Sequence, residues 1–315
     1  MDNMYTASRS LRSEFDVLIK DDRSALWSYC LKLTGSPWDA EDLVQDSLLK
    51  AFAKLSYLYQ VKNPKSYLFR IATNTWIDAK RKQKGVYHTA LLPENEPITD
   101  PISPVELSEA IDYLIHLLPP KQHVCIVLID VFEFQAKEVG AMLSLSEGAV
   151  RSLLHRARHT LRQSNFNDAS LSIQKTEPNS SLLNAYVQAF NQRNIEGIVS
   201  LLHEDAVMEV VGITEEYGRT MIRTNSLTDW AADPVTMNGT FYVDKNQRLF
   251  FVVTILDGER EAVNTIHEFT YNEKLIFQIR DYYYCPELLL EIGRLLEKPV
   301  IKNGYYWGDG HVRSL

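Results

Sequence analysis

The sequence predicts a multidomain chain in which two all-α domains precede an α+β domain. Apolar residues recur at helical spacing up to about residue 163, and segments rich in β-formers follow residue 205. Two polar stretches, 85–104 with four prolines and 166–179, interrupt the chain as linkers. We therefore expect domains at 1–84, 105–165 and 180–285 and a C-terminal tail at 286–315.

Composition excludes several classes of protein. The 315 residues are 45% hydrophobic and 23% charged, as in ordinary globular proteins. No apolar run approaches the roughly 18 residues of a membrane span, and the N-terminus lacks the apolar run of a signal peptide. Cys30, Cys125 and Cys285 lie far apart without metal-type spacing. We expect a cytoplasmic protein with reduced thiols, no metal or other cofactor and no membrane contact.

Charge is distributed unevenly along the chain. Residues 1–165 hold 20 of the 33 basic and 20 of the 41 acidic residues, so the net charge of −8 belongs to residues 166–315. An acidic cluster at 39–46 precedes a basic stripe at 62–84, and a second basic stripe occupies 151–162. One acidic and two basic stripes in the same part of the chain indicate two kinds of partner.

Three helices account for the first domain. Leu26, Tyr29, Cys30 and Leu33 recur at helical spacing until Gly35-Ser36-Pro37 ends the run. Further helices are predicted at about 38–55 and, after Asn63-Pro64, at about 65–83. The last of these is expected to point six residues inward, namely Tyr67, Leu68, Ile71, Ala72, Thr75 and Ile77.

Four short helices are predicted for the second domain, at about 105–117, 120–132, 135–143 and 147–163. Ser146 is a suitable N-cap for the last helix, and Ser144 with Glu147 fits a capping box. Two short helices joined by a tight turn, the second rich in Arg and His, are typical of a helix-turn-helix.

The C-terminal part changes to an α+β pattern. Segments 182–192 and 195–202 look helical, and strands are predicted at 206–211, 240–243, 249–256, 262–271 and 275–284. We expect two helices that lead into antiparallel strands, then a short helix and an aromatic tail that packs between domains or over a pocket.

Three motifs follow one another in the first half: DAEDLVQDSLLKAF at 39–52, SYLFRIATNTWIDAKRK at 66–82, and a helix-turn-helix segment at 118–161. In this order they resemble regions 2 and 4 of extracytoplasmic-function (ECF) RNA polymerase sigma factors. The resemblance implies that 1–84 is sigma region 2 and that 105–165 is sigma region 4. It also implies two partners, core RNA polymerase and promoter DNA.

The resemblance also implies binding roles for specific residues. The acidic face of the second helix would bind polymerase through Asp39, Glu41, Asp42, Gln45 and Asp46. Region 2 would read the −10 element through Tyr57, Tyr59, Lys62, Asn63, Asn74, Lys80 and Arg81. The recognition helix of region 4 would read the −35 element through Glu147, Arg151, Ser152, His155, Arg156 and Arg158. Each assignment has an alternative without a binding role. The acidic residues could belong to a solvated helix N-terminus, and Tyr57 and Tyr59 could be ordinary packed residues. The arginines of the recognition helix could form a solvated basic face.

The segment LLNAYVQAFNQRNIEGIVSLLHEDAVMEV at 182–210 resembles the opening of a SnoaL-like domain, a cone-shaped α+β fold. Because some members of that superfamily are enzymes, six residues are acid–base candidates: His203, Asp205, Glu209, His267, Asp281 and Tyr282. A structural role is the commoner one for such residues, and we expect no enzyme.

The expected function is promoter-specific transcription initiation, modulated by the C-terminal domain, which could hold a small-molecule or protein ligand. Two alternatives remain at this point. One is a stand-alone helix-turn-helix regulator, and the other is a bifunctional protein with an enzymatic SnoaL-like domain.

Overall fold

A computed structural model describes residues 2–54, 63–83, 117–163 and 173–301. The chain forms two compact units, Met1–Ser170 and Leu171–Leu315. Predictions for the linker at 85–104 and for the tail beyond residue 301 lie outside the described residues. No helix in the described ranges is both long and apolar enough to span a membrane.

In the described residues up to position 83, the first unit contains the helices α1 (Asp2–Thr34), α2 (Pro37–Phe52) and α3 (Pro64–Gln83). The Ser36 hydroxyl accepts a hydrogen bond from the Asp39 amide, and Pro37 occupies the first helical position of α2. Both features favour a helix start here. The predicted apolar stripe of α1 is buried, with Leu26, Tyr29, Cys30 and Leu33 all fully excluded from solvent. These three helices confirm the expected all-α start of the chain.

The other described helices of the first unit are α4 (Pro120–Ile126), α5 (Ala136–Leu143) and α6 (Glu147–Arg162), and a π-helical turn at Val127–Val131 extends α4. The first of the four predicted helices lies outside the described residues. Ser146 caps α6 as expected, by accepting from the Ala149 amide. The predicted capping box of Ser144 and Glu147 is wrong, because Ser144 is the left-handed C-cap of α5, with φ of 55°.

An aromatic cluster joins the two halves of the first unit. The ring centroid of Phe132 lies 5.5 Å from that of Tyr29 and 5.3 Å from that of Phe69. The ring centroids of Phe134 and Phe69 are also 5.3 Å apart. Tyr29 also stacks on Phe69 at 4.8 Å. We call these four residues the inter-region contact. It buries Phe69 completely, although the sequence did not predict that face of α3 to be inward.

His123 extends the inter-region contact along α3. Its Nε2 donates to the Lys32 carbonyl over 2.9 Å, and its ring meets the edge of Trp76 at 5.2 Å. The side chain is fully buried. Burial and the nearby Lys80 ammonium lower the pKa of His123 to about 4, while the hydrogen bond to the Lys32 carbonyl opposes this shift.

The second unit is an α+β domain. Two helices, α7 (Ser181–Asn191) and α8 (Ile195–Leu201), precede most of the sheet, and three short turns of helix, at Arg219–Ile222 (α9), Arg223–Leu227 (π) and Thr228–Ala232 (α10), lie between strands. The last described helix is α11 (Pro286–Leu295). The strands are β1 (Ile173–Lys175), β2 (Leu202–Val210), β3 (Thr214–Tyr217), β4 (Met237–Asp244), β5 (Leu249–Asp257), β6 (Arg260–Tyr271) and β7 (Ile276–Asp281).

The seven strands form one sheet in the order β1-β4-β5-β6-β7-β2-β3. The prediction of antiparallel strands is wrong for one pair, since β2 runs parallel to β7, with Met208 opposite Ile279. This pair joins segments about 70 residues apart, too distant for a hairpin to set their direction. The predicted linker at 166–179 contains β1, and Val300 forms an isolated bridge to Val263.

One face of the sheet packs against α7 through aromatic side chains. Tyr186 lies 5.4 Å from Phe251 and 4.8 Å from Phe269, and Phe190 lies 5.1 Å from Phe251. A Cβ at Gly239 would lie 1.8 Å from the Phe251 ring, so this strand position requires glycine. In β6, residues 262–267 are all buried, and α11 packs against this strand. Consecutive strand residues point to opposite faces, so both faces of β6 are covered.

Acidification is expected to destabilise the first unit through His123. Above pH 6.5 this histidine is neutral in both the folded and the unfolded chain. As pH falls from 6.5 towards about 4, the unfolded chain gains a proton that the folded unit resists, so the free energy of unfolding decreases. The loss reaches at most about 3 kcal/mol.

Calorimetry of wild type and His123→Gln over this pH range measures the effect. Glutamine keeps an amide donor for the Lys32 carbonyl but does not titrate, so the melting temperature of the first unit should depend less on pH in the variant. Equal slopes in the two proteins would contradict the prediction.

Candidate nucleic-acid and polymerase interface

The acidic face of α2 is only partly exposed. Asp39 and Asp46 are exposed, and Asp42 and Gln45 are half-buried. Because Asp39 lies in the first turn, its carboxylate also complements the helix dipole. Four of the five predicted polymerase-binding residues therefore reach the surface of the first unit.

Glu41 departs from this expectation, because its side chain is fully buried. It accepts hydrogen bonds from Arg23 on α1, at 3.3 Å, and from Gln45, at 2.7 Å. Glu41 lies three and seven residues before Val44 and Leu48, on the apolar stripe of α2. That spacing was the available signal for burial. Glu41 therefore ties α2 to α1 and is not part of the exposed acidic face.

Four predicted −10 residues are described, all on α3 or at its start. Asn63 is exposed and accepts the Ser66 amide over 3.0 Å, so it caps the helix. Asn74 is exposed, and Arg81 forms an exposed ion pair with Asp78 at 3.2 Å. Lys80 is half-buried, with its ammonium 5.8 Å from the Trp76 ring centroid. The other three, Tyr57, Tyr59 and Lys62, lie outside the described residues.

The helix-turn-helix is held by a close backbone approach. The Leu145 amide donates to the Gly140 carbonyl over 2.9 Å. A Cβ at Gly140 would lie 2.7 Å from the Leu145 carbonyl oxygen, so a larger residue would force the turn apart. This turn orients α6 relative to α5, as in helix-turn-helix proteins that place the second helix in a DNA groove.

The N-terminal half of α6 presents a polar surface. Glu147 and Arg151 are exposed and paired at 2.6 Å, and an exposed pair of this kind contributes little to stability. Ser152 and His155 are half-buried, and Arg156 donates to the Ser152 carbonyl over 3.3 Å. The Arg151 guanidinium can therefore exchange its carboxylate partner for a base edge or a phosphate at low cost.

Arg158 corrects the predicted −35 set. Its side chain is only 11% exposed and forms a bidentate pair with Asp130, with Nε at 3.0 Å and Nη2 at 2.6 Å from the two carboxylate oxygens. Asp130 lies in the π-helical turn after α4, so the pair fastens α6 to α4. A charge held this way is not available to DNA, and sequence spacing alone gave no sign of the partner 28 residues away.

Two family profiles match the first unit. The profile for sigma-70 region 2 matches residues 18–86, and the profile for sigma-70 region 4 matches residues 108–161. The first unit therefore contains segments that match sigma-70 region 2 and sigma-70 region 4, in that order. In the described ranges, α1–α3 thus form region 2, and α4–α6 form region 4. The exposed face of α2 and the N-terminal half of α6 lie inside the matched segments.

One curated relative is the ECF RNA polymerase sigma factor SigG of Mycobacterium tuberculosis, which is 28% identical over 235 residues. The match covers 65% of this chain and 64% of SigG, just under two thirds of the relative's length. Since 65% of 315 residues is about 205, and the first unit ends at Ser170, the similarity continues into the second unit.

Two solved structures are similar to parts or most of the chain. The M. tuberculosis ECF sigma factor SigJ is 21% identical, covering 85% of this chain and 95% of SigJ, with a TM-score of 0.31. An NTF-2 like protein from Burkholderia xenovorans is 15% identical, covering 32% of this chain and 78% of that one, with a TM-score of 0.26. Both TM-scores are below 0.5, so the fold of the second unit is described from its own helices and strand order. The second unit has the α+β architecture that a SnoaL-like domain implies.

The six acid–base candidates of the second unit do not converge on one site. Glu209 pairs with Arg280 at 2.9 Å, the Tyr282 hydroxyl donates to Glu268 over 2.5 Å, and His203 stacks on Phe277. Asp205 is exposed, its amide donating to His203 over 3.1 Å. Ion pairs, hydrogen bonds and ring contacts of this kind are typical of residues with a structural role.

His267 and Asp281 are the exception, because they face each other across β6 and β7. His267 Nε2 lies 3.7 Å from Asp281 Oδ1, and His267 Nδ1 lies 3.4 Å from the Tyr186 hydroxyl. Burial lowers the pKa of His267, against the opposing effect of Asp281. Among the described residues, no group of three or more His, Cys, Asp and Glu side chains is placed to hold a metal ion.

Removing Arg158 is expected to destabilise region 4 strongly. Arg158→Ala leaves the Asp130 carboxylate buried without its guanidinium, which costs about 3–5 kcal/mol of unfolding free energy. Arg151→Ala, on the same helix, removes only an exposed pair and should cost less than about 1 kcal/mol. Calorimetric unfolding of both variants and wild type measures the difference. Similar losses in the two variants would contradict the structural role of Arg158.

Proposed function

We propose that the chain binds core RNA polymerase and directs promoter-specific transcription initiation, acting in the cytoplasm. The observation that carries this proposal is the presence of sigma-70 regions 2 and 4, in that order, within one compact unit. The similarity to an ECF sigma factor supports the ECF type. The proposal assigns one charged surface to the polymerase and two to promoter DNA.

The polymerase contact is proposed for the exposed acidic face of α2, with Asp39, Asp42, Gln45 and Asp46. A basic surface on the polymerase would complement it, and such complementarity mainly sets specificity and the association rate. Glu41 supports this face from within, because its pair with Arg23 fixes α2 against α1.

The DNA contacts are proposed for two surfaces. Asn63, Asn74, Lys80 and Arg81 of region 2, together with the predicted Tyr57, Tyr59 and Lys62, would bind the −10 element, where a positive helix follows phosphates and aromatic residues stack on bases. The −35 element would be read by Glu147, Arg151, Ser152 and His155, with Arg156 closer to the phosphates.

A stand-alone helix-turn-helix regulator is the less favoured alternative. Such a protein needs neither the acidic face of α2 nor a separate basic helix such as α3, and both occur here. For the bifunctional alternative, His267 and Asp281 are the candidate pair whose side chains face each other, with Nε2 and Oδ1 3.7 Å apart. Both are tied into a cross-strand structural cluster with Tyr186, so we propose a non-catalytic second unit.

We also propose that the second unit modulates initiation, with a small-molecule or protein ligand as its effector. Residues 166–315 carry the whole net charge of −8. An acidic domain attached to a DNA-binding unit can compete with DNA phosphates for basic residues. This competition would weaken promoter binding and would diminish at high salt.

Charge reversal on α2 tests the polymerase contact. Asp46→Lys is expected to weaken binding to purified core polymerase about tenfold and to lower initiation on genomic fragments of the source bacterium, because the acidic face loses its complementarity. Asp21→Lys, an exposed reversal on α1, is the matched control and should bind like wild type. Fluorescence anisotropy and run-off transcription measure the two effects. Unchanged binding by Asp46→Lys would remove the proposed contact, and no core-dependent transcripts with wild type would remove the proposed function.

Truncation after Ser170 tests the role of the second unit. Run-off transcription by the truncated and full-length chains should differ at low salt, with more product from the truncation, and the difference should shrink as salt increases. Identical output from both chains at every salt concentration would show that the second unit does not modulate initiation.

A further inference from the structure

One ridge of α6 carries two histidines that lie one helical turn apart. Residues recur at four-residue intervals along this ridge, from the first residue of α6 to its C-cap: Glu147, Arg151, His155, His159 and Gln163. Side chains with this spacing lie on the same face of a helix, with their Cβ atoms about 5–6 Å apart. His155 and His159 are therefore neighbours at the surface of region 4, and we call them the histidine pair.

The fold leaves both imidazoles of the histidine pair available to a ligand. His155 is half-buried, and within the part of the chain that the structure describes its ring makes no hydrogen bond, ion pair or ring contact. His159 is exposed, and its Nε2 lies 3.3 Å from the amide nitrogen of Gln163. An amide nitrogen can only donate, so Nε2 of His159 accepts and carries the lone pair that a metal ion requires.

Two imidazoles one helical turn apart suit a late transition metal ion. Histidine nitrogens coordinate such ions at about 2.0–2.1 Å, and two histidines at the same four-residue spacing bind one zinc ion in helical HExxH motifs. Mg²⁺ and Ca²⁺ prefer oxygen ligands and do not suit the pair. Among the described residues, no third His, Cys, Asp or Glu side chain joins the pair in a larger group. Protein would thus supply two ligands, and water would fill the other positions.

Basic neighbours oppose a cation at the histidine pair and so restrict which ion binds. Two guanidiniums of α6, those of Arg151 and Arg158, are paired with carboxylates. Arg162 is exposed three positions after His159, on the same side of the helix, and its charge repels a divalent ion. The site therefore requires an ion with a strong intrinsic affinity for nitrogen ligands. Cu²⁺ exceeds both Ni²⁺ and Zn²⁺ in that affinity.

We propose that the histidine pair binds a divalent late transition metal ion, with Cu²⁺ bound most tightly. The pair continues the ridge on which Glu147 and Arg151 are assigned to the −35 element, so the metal ion and DNA compete for His155. This competition rests on the proposed function for the position of DNA on α6, whereas the metal site itself does not. Because the coupling between two ligands is reciprocal, DNA weakens the affinity for the metal ion by the same factor.

Copper binding by the full chain tests the metal site. Electron paramagnetic resonance with one equivalent of Cu²⁺ should show coordination by two imidazole nitrogens. Calorimetric titration should show that His155→Gln and His159→Gln each weaken copper binding about tenfold, while excess Mg²⁺ has no effect. His203→Gln, at a half-buried histidine of the second unit, is the matched control and should bind copper like wild type. Equal copper affinities of wild type and His159→Gln would overturn the site.

Moving one histidine along the ridge separates chelation by a pair from the number of histidines in the chain. His155→Gln/Gln163→His keeps the four-residue spacing, now between positions 159 and 163, and should restore copper affinity to within about threefold of wild type. His159→Gln/Gln163→His separates the two histidines by eight residues, about 12 Å along the helix, and should bind copper as weakly as His159→Gln. Restored affinity in the second variant, or none in the first, would contradict chelation.

DNA binding tests the competition for His155. Anisotropy with a labelled duplex of mixed sequence, about 40 base pairs long, should show about fivefold weaker binding of wild type when one equivalent of Cu²⁺ is added. His155→Gln/Gln163→His should bind copper without this loss, because its metal ion lies one turn further along α6. Unchanged or tighter duplex binding by copper-loaded wild type would overturn the competition. Absence of core-dependent transcripts from a chain that binds copper would overturn the proposed function alone.

Discussion

The packing of Phe69 against Phe132 and Phe134 is the contact on which the arrangement of the first unit depends. Without it, regions 2 and 4 are two small helical bundles joined by a proline-rich segment. With it, α3 is covered on two sides, by α1 and α2 on one and by region 4 on the other. Aromatic rings suit this role because they bury a large area with few rotatable bonds, so a small interface can hold two bundles together.

The charged residues of the first unit divide into two kinds. Exposed ones, such as Asp46 and Arg151, lie where a macromolecular partner can reach them. Buried ones, namely the pairs Arg23–Glu41 and Arg158–Asp130, join helices that are distant in the chain. Both kinds occur within the same acidic or basic stripe of sequence. Within a charged stripe, only the exposed residues therefore indicate a functional surface, because a buried charge must keep its partner.

The second unit has a different basis for its stability. At β6 the sheet is buried on both faces. The aromatic layer around Tyr186 and Phe251 covers one of them. Gly239 allows Phe251 to lie flat against β4, and Asn191 ties the end of α7 to the same strand through hydrogen bonds of 2.7 and 3.1 Å with the Gly239 backbone. His267 and Asp281 occur within this layer, so their proximity serves the packing of β6 on β7.

The sequence by itself determined the helices of the first unit, the helix-turn-helix, the order of the sigma regions and the α+β character of the second unit. Local signals suffice for these features, since caps such as Ser146, breakers such as Gly35 and apolar periodicity act over a few residues. Only the tertiary structure decided that Arg158 is internal, that Arg23 is the partner of Glu41, that β2 pairs with β7 in parallel, and that region 4 covers α3. Each of these depends on a partner brought close by folding, and a single sequence carries no record of which distant residue that partner is.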